Sequence, residues 1–388
     1  MDPAGGNGRA ESLAGDQIFQ ILRDGEPRTR AGLSAITGLA RSTVASRVDT
    51  LLELGLIKPI GPGASTGGRP SSQFAFNSGA RIALAVDLGA SHCRLAVTDL
   101  ASGLLSSRRV ELSIADGPDA VLGLVARLGH ELLDEAGRPA SDLVGVGVGL
   151  PGPVEHRTGR PSTPPIMPGW DGFDVPGRLG ESFDVPILVD NDVNIMALGE
   201  RATAWPEVDD LVFVKVATGV GAGVIAAGRL LRGSQGIAGD LGHMLVTGSG
   251  AAAQAGRTLE DVASGAGIAR QLRATGLDVP DARAVAALVR AGSPAAIAAV
   301  RQAGRVLGEA LCNVICLVNP SAIVLGGGLG LASEDMLAGV REVVYSLSMP
   351  LATARLQIGR SATGEDAGVI GASLLAIESA LGRVTVPE

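Results

Sequence analysis

From residue 16 the apolar positions Ile18, Ile21 and Leu22 recur at the i, i+3, i+4 spacing of a helix face, and Gly25-Glu26-Pro27 ends the run. A second helical period opens at Thr29, whose hydroxyl suits an N-cap, turns Leu33 and Ile36 inward and stops at Gly38. A third spans about 41–54. There Val44, Val48, Leu51 and Leu52 share one face, Arg41, Ser42, Ser46, Arg47 and Thr50 the other, and Gly55 closes the run. The apolar runs 56–60 and 73–76 flank the glycine-rich loop GPGASTGGRPSS and predict two short strands. Three short helices, a tight turn at Gly38-Leu39-Ala40 and a strand pair make residues 16–78 a predicted winged helix-turn-helix domain; the alternative is a small helical docking module. Residues 1–15 are small and polar without periodicity and are expected to be disordered.

From Arg81 the pattern changes to continuous apolar runs alternating with helical ones. Residues 82–86 read as a buried strand ending in Asp87-Leu88-Gly89-Ala90-Ser91, residues 93–98 as a second strand, and residues 120–135 as a helix. Residues 143–148 form a third strand that ends in Gly149-Leu150-Pro151-Gly152-Pro153. Strands that deliver glycine loops and alternate with helices predict an α/β architecture for residues 79–388.

Composition narrows this picture. The 388 residues include 56 glycines without a Gly-X-Y period, so the excess belongs to turns and close approaches rather than to a collagen helix. With only nine aromatics, the cores must be built from Ala, Val, Leu and Ile. The net charge of −8 is uneven: residues 1–80 carry eight basic and seven acidic side chains, and residues 81–388 carry 24 and 33. A polyanion would be repelled by the whole chain but not by residues 27–70, where six basic residues face two acidic ones. Lys58 and Lys215 are the only lysines. Cys93, Cys312 and Cys316 provide no disulfide framework and predict a reducing compartment, with the latter two as core fillers of one helix. Neither a signal-peptide run nor a membrane-length apolar run is present, which predicts a cytoplasmic protein.

Within the predicted head, the third helix fits a major groove, where arginine can pair with guanine and Ser or Thr can bond bases or phosphates. Arg41, Ser42, Thr43 and Arg47 are expected to face DNA there; Arg28, Arg30 and Arg69 are expected on phosphates or a minor groove. Four further features follow in order. Asp87, Gly89 and Ser91 form a strand end that could approach a phosphate, and Val189-Asp190-Asn191-Asp192 enters a helix. Thr218, Gly219, Gly221 and Gly223 could turn successive N–H groups toward an anion, and Gly326-Gly327-Gly328 form a bend that could seat a flat ring. Singly, each has a plain alternative: a tight turn, a helix cap or a strand end.

Together these segments resemble the repressor branch of the ROK family (repressors, open reading frames and sugar kinases), including its xylose- and N-acetylglucosamine-type repressors. The resemblance runs through TRAGLSAITGLARSTVASRVDTLLELGLI, GGRPSS, DLGAS, GVGLPGPV, PPIMPGW, DNDVNIMALGE, ATGVGAGVI, AGDLGHMLV and NPSAIVLGGG. It implies a two-lobed actin-like ATPase or sugar-kinase fold, with lobe I at about 79–190 plus the C-terminal helix and lobe II at about 191–370. By the resemblance, Asp192 stands where family kinases keep the base that takes the sugar hydroxyl proton, and Asn191, His243 and Glu260 stand at sugar-binding positions. Asp240 replaces the glutamate of the Glu-x-Gly-His motif.

Two departures bear on activity. Ala253 and Ala255 occupy the first two cysteine positions of the family's zinc segment, so no metal is expected. Ala90, Ser91 and His92 stand where the first phosphate loop of family kinases reads Gly-Thr-Lys, and Lys215, in an apolar strand, is not an obvious substitute for the missing lysine. His92, His130 and His156 are expected in loops or at the surface. The reading favoured by the sequence is a dimeric or higher homo-oligomeric transcription regulator of carbohydrate metabolism, probing a pseudo-palindromic operator and a sugar or sugar-phosphate effector, without a cofactor. The alternative is an ATP- and Mg-dependent sugar kinase that retains a DNA-binding head.

Overall fold

The structure, a computed structural model, describes residues 17–62, 72–246 and 257–381. The expectations for residues 1–15, Arg69, Ala253 and Ala255 lie outside the described residues.

The head opens with α1 (Gln17–Leu22), β1 (Arg28–Thr29), α2 (Arg30–Thr37) and α3 (Arg41–Glu53), followed by β2 (Ile57–Pro62) and β3 (Ser72–Phe76). The Thr29 hydroxyl accepts the Gly32 N–H at 3.0 Å and starts α2. Gly38, at φ 71°, ends it, because an L side chain is strained in that conformation. Ile18, Phe19, Leu22, Leu33, Val44, Val48 and Leu51 form a buried core, as the helical spacing requires. Ile36 departs from expectation and is 56% exposed: α2 meets the core through Leu33 and leaves Ile36 on its outer flank. The sheet order is β1-β3-β2; a two-residue strand such as β1 is too short to show alternation in sequence.

Lobe I contains β4 (Ile82–Leu88), β5 (His92–Asp99), β6 (Leu104–Glu111), α4 (Pro118–Glu135), β7 (Leu143–Leu150), the hairpin β8 (Val154–Glu155) and β9 (Arg160–Pro161), α5 (Val175–Gly180) and β10 (Ile187–Asn191). Next, α6 (Asp192–Ala204) packs against both lobes. Lobe II begins with β11 (Leu211–Val216), β12 (Val220–Ala226) and β13 (Arg229–Leu231). The helices α7 (Leu259–Ala263), α8 (Gly265–Ala274), α9 (Ala282–Arg290) and α10 (Pro294–Val318) follow, then β14 (Ala322–Gly326), α11 (Gly327–Gly330), α12 (Glu334–Leu347), α13 (Pro350–Thr353) and β15 (Gln357–Arg360). The last helix, α14 (Ala367–Leu381), returns to lobe I and packs on α6, β4 and β7.

The two lobes repeat one topology. Sheet orders β10-β7-β4-β5-β6 and β13-β12-β11-β14-β15 each consist of an antiparallel three-strand meander with two later strands added in parallel beside its first strand. The first strands, β4 and β11, are therefore central in their sheets. Each is apolar except for one charge near its C-terminal end, Asp87 in β4 and Lys215 in β11.

The cysteines divide differently from expectation. Cys93 is buried in β5 and Cys312 is half-buried with its Sγ 3.4 Å from the Ser348 hydroxyl, but Cys316 is exposed. The buried stripe at this end of α10 runs through Leu311, Val314 and Ile315, and position 316 falls off its edge. Among the described residues no single helix is long and apolar enough to cross a membrane.

Glycines set the tightest packing. A Cβ at Gly147 of β7 would stand 1.9 Å from the Ala372 carbonyl oxygen of α14, whereas one at Gly359 of β15 would meet nothing within 4 Å. Gly147→Ala is expected to lower the unfolding free energy in urea by about 1–3 kcal/mol, the usual cost of overpacking. Gly359→Ala is expected to change it by less than about 0.5 kcal/mol, as at an unconstrained surface site.

Candidate functional site

The facing ends of β4 and β11 bring three charges together in the cleft between the lobes. The Lys215 ammonium donates to the Asp192 carboxylate at the start of α6, and Asp87 lies beside this pair. Asp87 and Asp192 are 7% and 5% exposed, so both would be costly as lone anions. Burial pushes the Asp87 carboxyl up to about 6, with Asp192 adding to the rise and Lys215 opposing it. Burial would lower the Lys215 pKa, but the Asp192 and Asp87 carboxylates outweigh it and hold the ammonium above its ordinary value. Lys215 is thus the cation that meets these carboxylates, a partnership the sequence reading did not draw. The sequence clue was its position as the one charge in LVFVKV; its partners come from distant strands.

The loops expected to cradle phosphate are filled by the chain's own side chains. His92 opens β5 instead of lying in a loop, and its ring packs on Gly89, where a Cβ would come 2.4 Å from the imidazole. Burial, then Arg109, Lys215 and Arg283, depress its pKa to about 4, so the ring is neutral at pH 7. From lobe II, Arg283 donates to the Ser91 hydroxyl at 2.9 Å and carbonyl at 3.2 Å and pairs with Glu111 at 2.5 Å. At the second glycine run, the Glu260 carboxylate accepts the Val220 N–H at 3.1 Å and covers Gly219. Thr218 is exposed, whereas Gly221 and Gly223 lie in β12 against Val193 and Ala197 of α6. These last two glycines serve helix–sheet contact rather than an anion. Gly326 ends β14 under the Phe213 ring, and Gly327, at φ 78°, starts α11.

The expected sugar positions form two groups. Asn191 caps α6 by accepting the Val193 N–H at 2.9 Å, and its amide donates to the Gly152 carbonyl at 2.8 Å, beside Asp192. Across the cleft, Asp240 bonds His243 Nδ1 at 2.9 Å; that bond and the Asp240 charge raise the histidine pKa. Glu260 is close enough to His243 to add to the rise. Asp190, not singled out in sequence, links the groups. It is buried and accepts from Asn194 at 2.7 Å and from Arg232 at 2.8 Å, at the root of the loop that carries Asp240 and His243. His156 is half-buried with Nδ1 3.6 Å from Asp190, not at the surface, because residues 154–156 pack against Gly236. His130 is exposed as expected and stacks on Phe183.

In the head, Arg41 and Ser42 are exposed at the start of α3, and Thr43 and Arg47 are half-buried. A concavity of about 450 Å³ is lined by Arg30, Ala31, Arg41 and Ser72. Arg30 pairs with Asp49 and lies 4.8 Å over the Phe74 ring, which fixes its guanidinium at this face. Arg28 does not fit its expected role. Its guanidinium is held by Asp24 at 2.5–2.6 Å and by the carbonyls of Ile21 and Glu26 at 3.0 Å, because β1 turns it back onto α1.

Residues 83–379 match the ROK family. The chain belongs to the ROK family. It is 28% identical over 364 residues to the xylose repressor of Bacillus spizizenii, covering 93% of this chain and 94% of that one. It is 31% identical to the glucokinase of Halalkalibacterium halodurans, over 75% of this chain and 93% of the enzyme. The crystal structure of a ROK-family transcriptional regulator, a homologue of E. coli MLC, has the same fold at 23% identity, with a TM-score of 0.80 and 97% coverage of both chains.

Membership of this family makes nucleotide and zinc the groups to test. Among the described residues, those present fit neither. Val220 N–H is taken by Glu260, Ser91 by Arg283, and the Gly89 surface by His92. The cysteines lie in β5 and α10, away from His243, and among the described residues no group of three His, Cys, Asp or Glu could hold a metal.

Asp87 and His92 couple the cleft to pH with opposite signs. The raised Asp87 pKa contributes stability that is full below about pH 4 and lost as pH rises to about 6; the lowered His92 pKa contributes stability present above about 6.5 and lost as pH falls toward 4. Relative to wild type, Asp87→Asn is expected to gain roughly 3 kcal/mol or less at pH 7.5 and nothing near pH 4. His92→Asn is expected to gain at pH 4.5 and nothing at pH 7.5. Urea unfolding of both variants at the two pH values checks the signs.

Proposed function

We infer that this ROK-family chain is a cytoplasmic transcriptional repressor of carbohydrate metabolism, binding operator DNA through its head and a sugar effector in the cleft. The observation that carries this reading is the head with its exposed Arg41 and Ser42, packed in one continuous hydrophobic core with lobe I. Arg41, Ser42, Thr43 and Arg47 read the major groove, and the concavity between Arg30 and Arg41 takes a backbone phosphate. Arg69, between β2 and β3 in the sequence, contacts the neighbouring backbone. A homodimer presents two heads, which makes the operator a pseudo-palindrome. Asn191, Asp192, Asp240, His243 and Glu260 bind the sugar hydroxyls, and D-xylose is the first sugar to try, given the named relatives. The reading needs no nucleotide or metal. Repression responds to sugar because the effector binds one arrangement of lobes and heads more tightly than the other.

The kinase alternative loses support because Asp192 is engaged by Lys215, and the phosphate-type loops by Glu260, Arg283 and His92. Fluorescence anisotropy with promoter-region DNA, with and without a sugar panel, tests the regulator. Absence of a specific, sugar-sensitive complex would refute it, and Asp192-dependent ADP release across the same panel would favour the kinase. Arg41→Ala is expected to weaken DNA binding by about tenfold or more, as for loss of a good base contact, without changing sugar affinity. Arg28→Ala, which removes only a partly exposed internal pair, is expected to leave DNA affinity within about threefold.

A further inference from the structure

Three sets of contacts join the cleft to the head along two helices. At the cleft end, α6 starts with Asn191 as its cap and Asp192 on Lys215, and α14 starts where a Cβ at Gly368 would come 2.1 Å from the Asp87 carboxylate. Glu200, fully buried in α6, grips the segment entering α14: its carboxylate accepts from the Ser361 hydroxyl at 2.5 Å and the Ala362 and Thr363 N–H groups at 2.9 and 3.2 Å.

Along the first turn of α14 the two helices touch backbone to backbone. A Cβ at Gly371 of α14 would lie 1.6 Å from the Ile195 carbonyl oxygen of α6, and one at Gly199 of α6 would lie 2.0 Å from that of Ala367. With no side chain between them to change rotamer, displacement of α6 cannot be absorbed at the contact. Close-packed interiors transmit such shifts.

At the far end, Ala376, Ile377 and Leu381 of α14 share one core with Ile18, Phe19, Leu22 and Leu33 of the head. There Arg23, at the end of α1, pairs with Glu378 at 2.6 Å, with side chains 11% and 19% exposed. At ~1.5 Å per residue, Ala367 and Glu378 are about 16 Å apart along the helix.

We propose that α6 and α14 act as a stiff two-helix lever that carries the state of the effector cleft to the DNA-binding head, with Arg23–Glu378 as its terminal joint. The proposal rests on the regulator reading and names the route of its regulation. A ligand that moves Asp192 relative to Lys215 moves the start of α6; α14 follows through the glycine contacts, and α1 follows α14 through the shared core and the ion pair. Neither Arg23 nor Glu378 lies in the cleft or on the exposed start of α3, so breaking their pair separates coupling from binding.

The test uses the full chain, DNA duplexes selected by the wild-type protein from a random-sequence pool, and D-xylose and D-glucose as probes. DNA affinity with and without sugar gives the coupling ratio, and calorimetry gives sugar affinity. Glu378→Gln and Arg23→Ala are each expected to shrink the ratio by about fivefold, an ordinary interaction energy for a contacting pair, with sugar affinity within about twofold of wild type. The exchanged pair, Arg23→Glu with Glu378→Arg, is expected to restore the ratio. Sugar-induced changes in hydrogen exchange over residues 17–22 should disappear in the single variants and return in the exchanged pair. Gly371→Ala, if it folds by circular dichroism, is expected to lose coupling as well. A wild-type ratio in both single variants would overturn the lever while leaving the regulator intact. DNA binding by wild type that ignores both sugars, despite calorimetric binding of one of them, would overturn the regulator reading itself.

Discussion

One ammonium group between two buried carboxylates organises the centre of the molecule. Lys215 comes from the first strand of lobe II, Asp87 from the first strand of lobe I, and Asp192 from the helix that links the lobes. Burying two carboxylates without that cation would cost several kcal/mol each, so each lobe's charge needs the other lobe. The duplicated topology makes this possible: in each sheet the first strand is central, and the charges near the C-terminal ends of the two strands meet. Such strand ends are where open α/β sheets bind ligands.

Around this centre, the phosphate-type loops are engaged by the chain itself. Glu260 meets the N–H group that an anion would seek, Arg283 reaches across the cleft to Ser91 and Glu111, and an imidazole lies over Gly89. A nucleotide would have to displace an internal hydrogen bond or ion pair at the first two positions and a packed imidazole at the third. On the regulator reading proposed above, a sugar would ask for less, because its hydroxyls would share donors and acceptors already in place at Asn191, Asp240 and His243.

The head is joined to this cleft through packing rather than through a flexible tether. Its core continues into Ala83, Leu100, Ala376, Ile377 and Leu381, so head and lobe I share buried surface. The helices leading from the cleft meet through glycine, where backbone approaches backbone. Several of the glycines that are so abundant in the composition therefore serve stiffness, not turn formation: Gly147, Gly199, Gly368 and Gly371 are positions where even a methyl group has no room.

Much of the local structure was legible in the sequence because it depends on near neighbours. Thr29 and Gly38 bracket α2, the apolar spacing of Ile18, Leu33, Val44 and Val48 marks the head core, and residues 82–86 read at once as a buried strand. The family motifs located Asn191, Asp192, Asp240, His243 and Glu260 as a candidate set. Partnership was not legible, because it joins residues far apart in the chain. Arg28 reads as a DNA contact until the β1 turn hands it to Asp24; Lys215 reads as a stray charge in an apolar strand until Asp87 and Asp192 meet it. Cys316 follows a helical period, yet the edge of the packed stripe leaves it in solvent. The sequence by itself determined which segments become helices and strands and which residue types line the cleft. Only the tertiary structure decided which charges pair, which loops are already filled and which glycines join helices, since those depend on distances between strands and helices that no local pattern encodes.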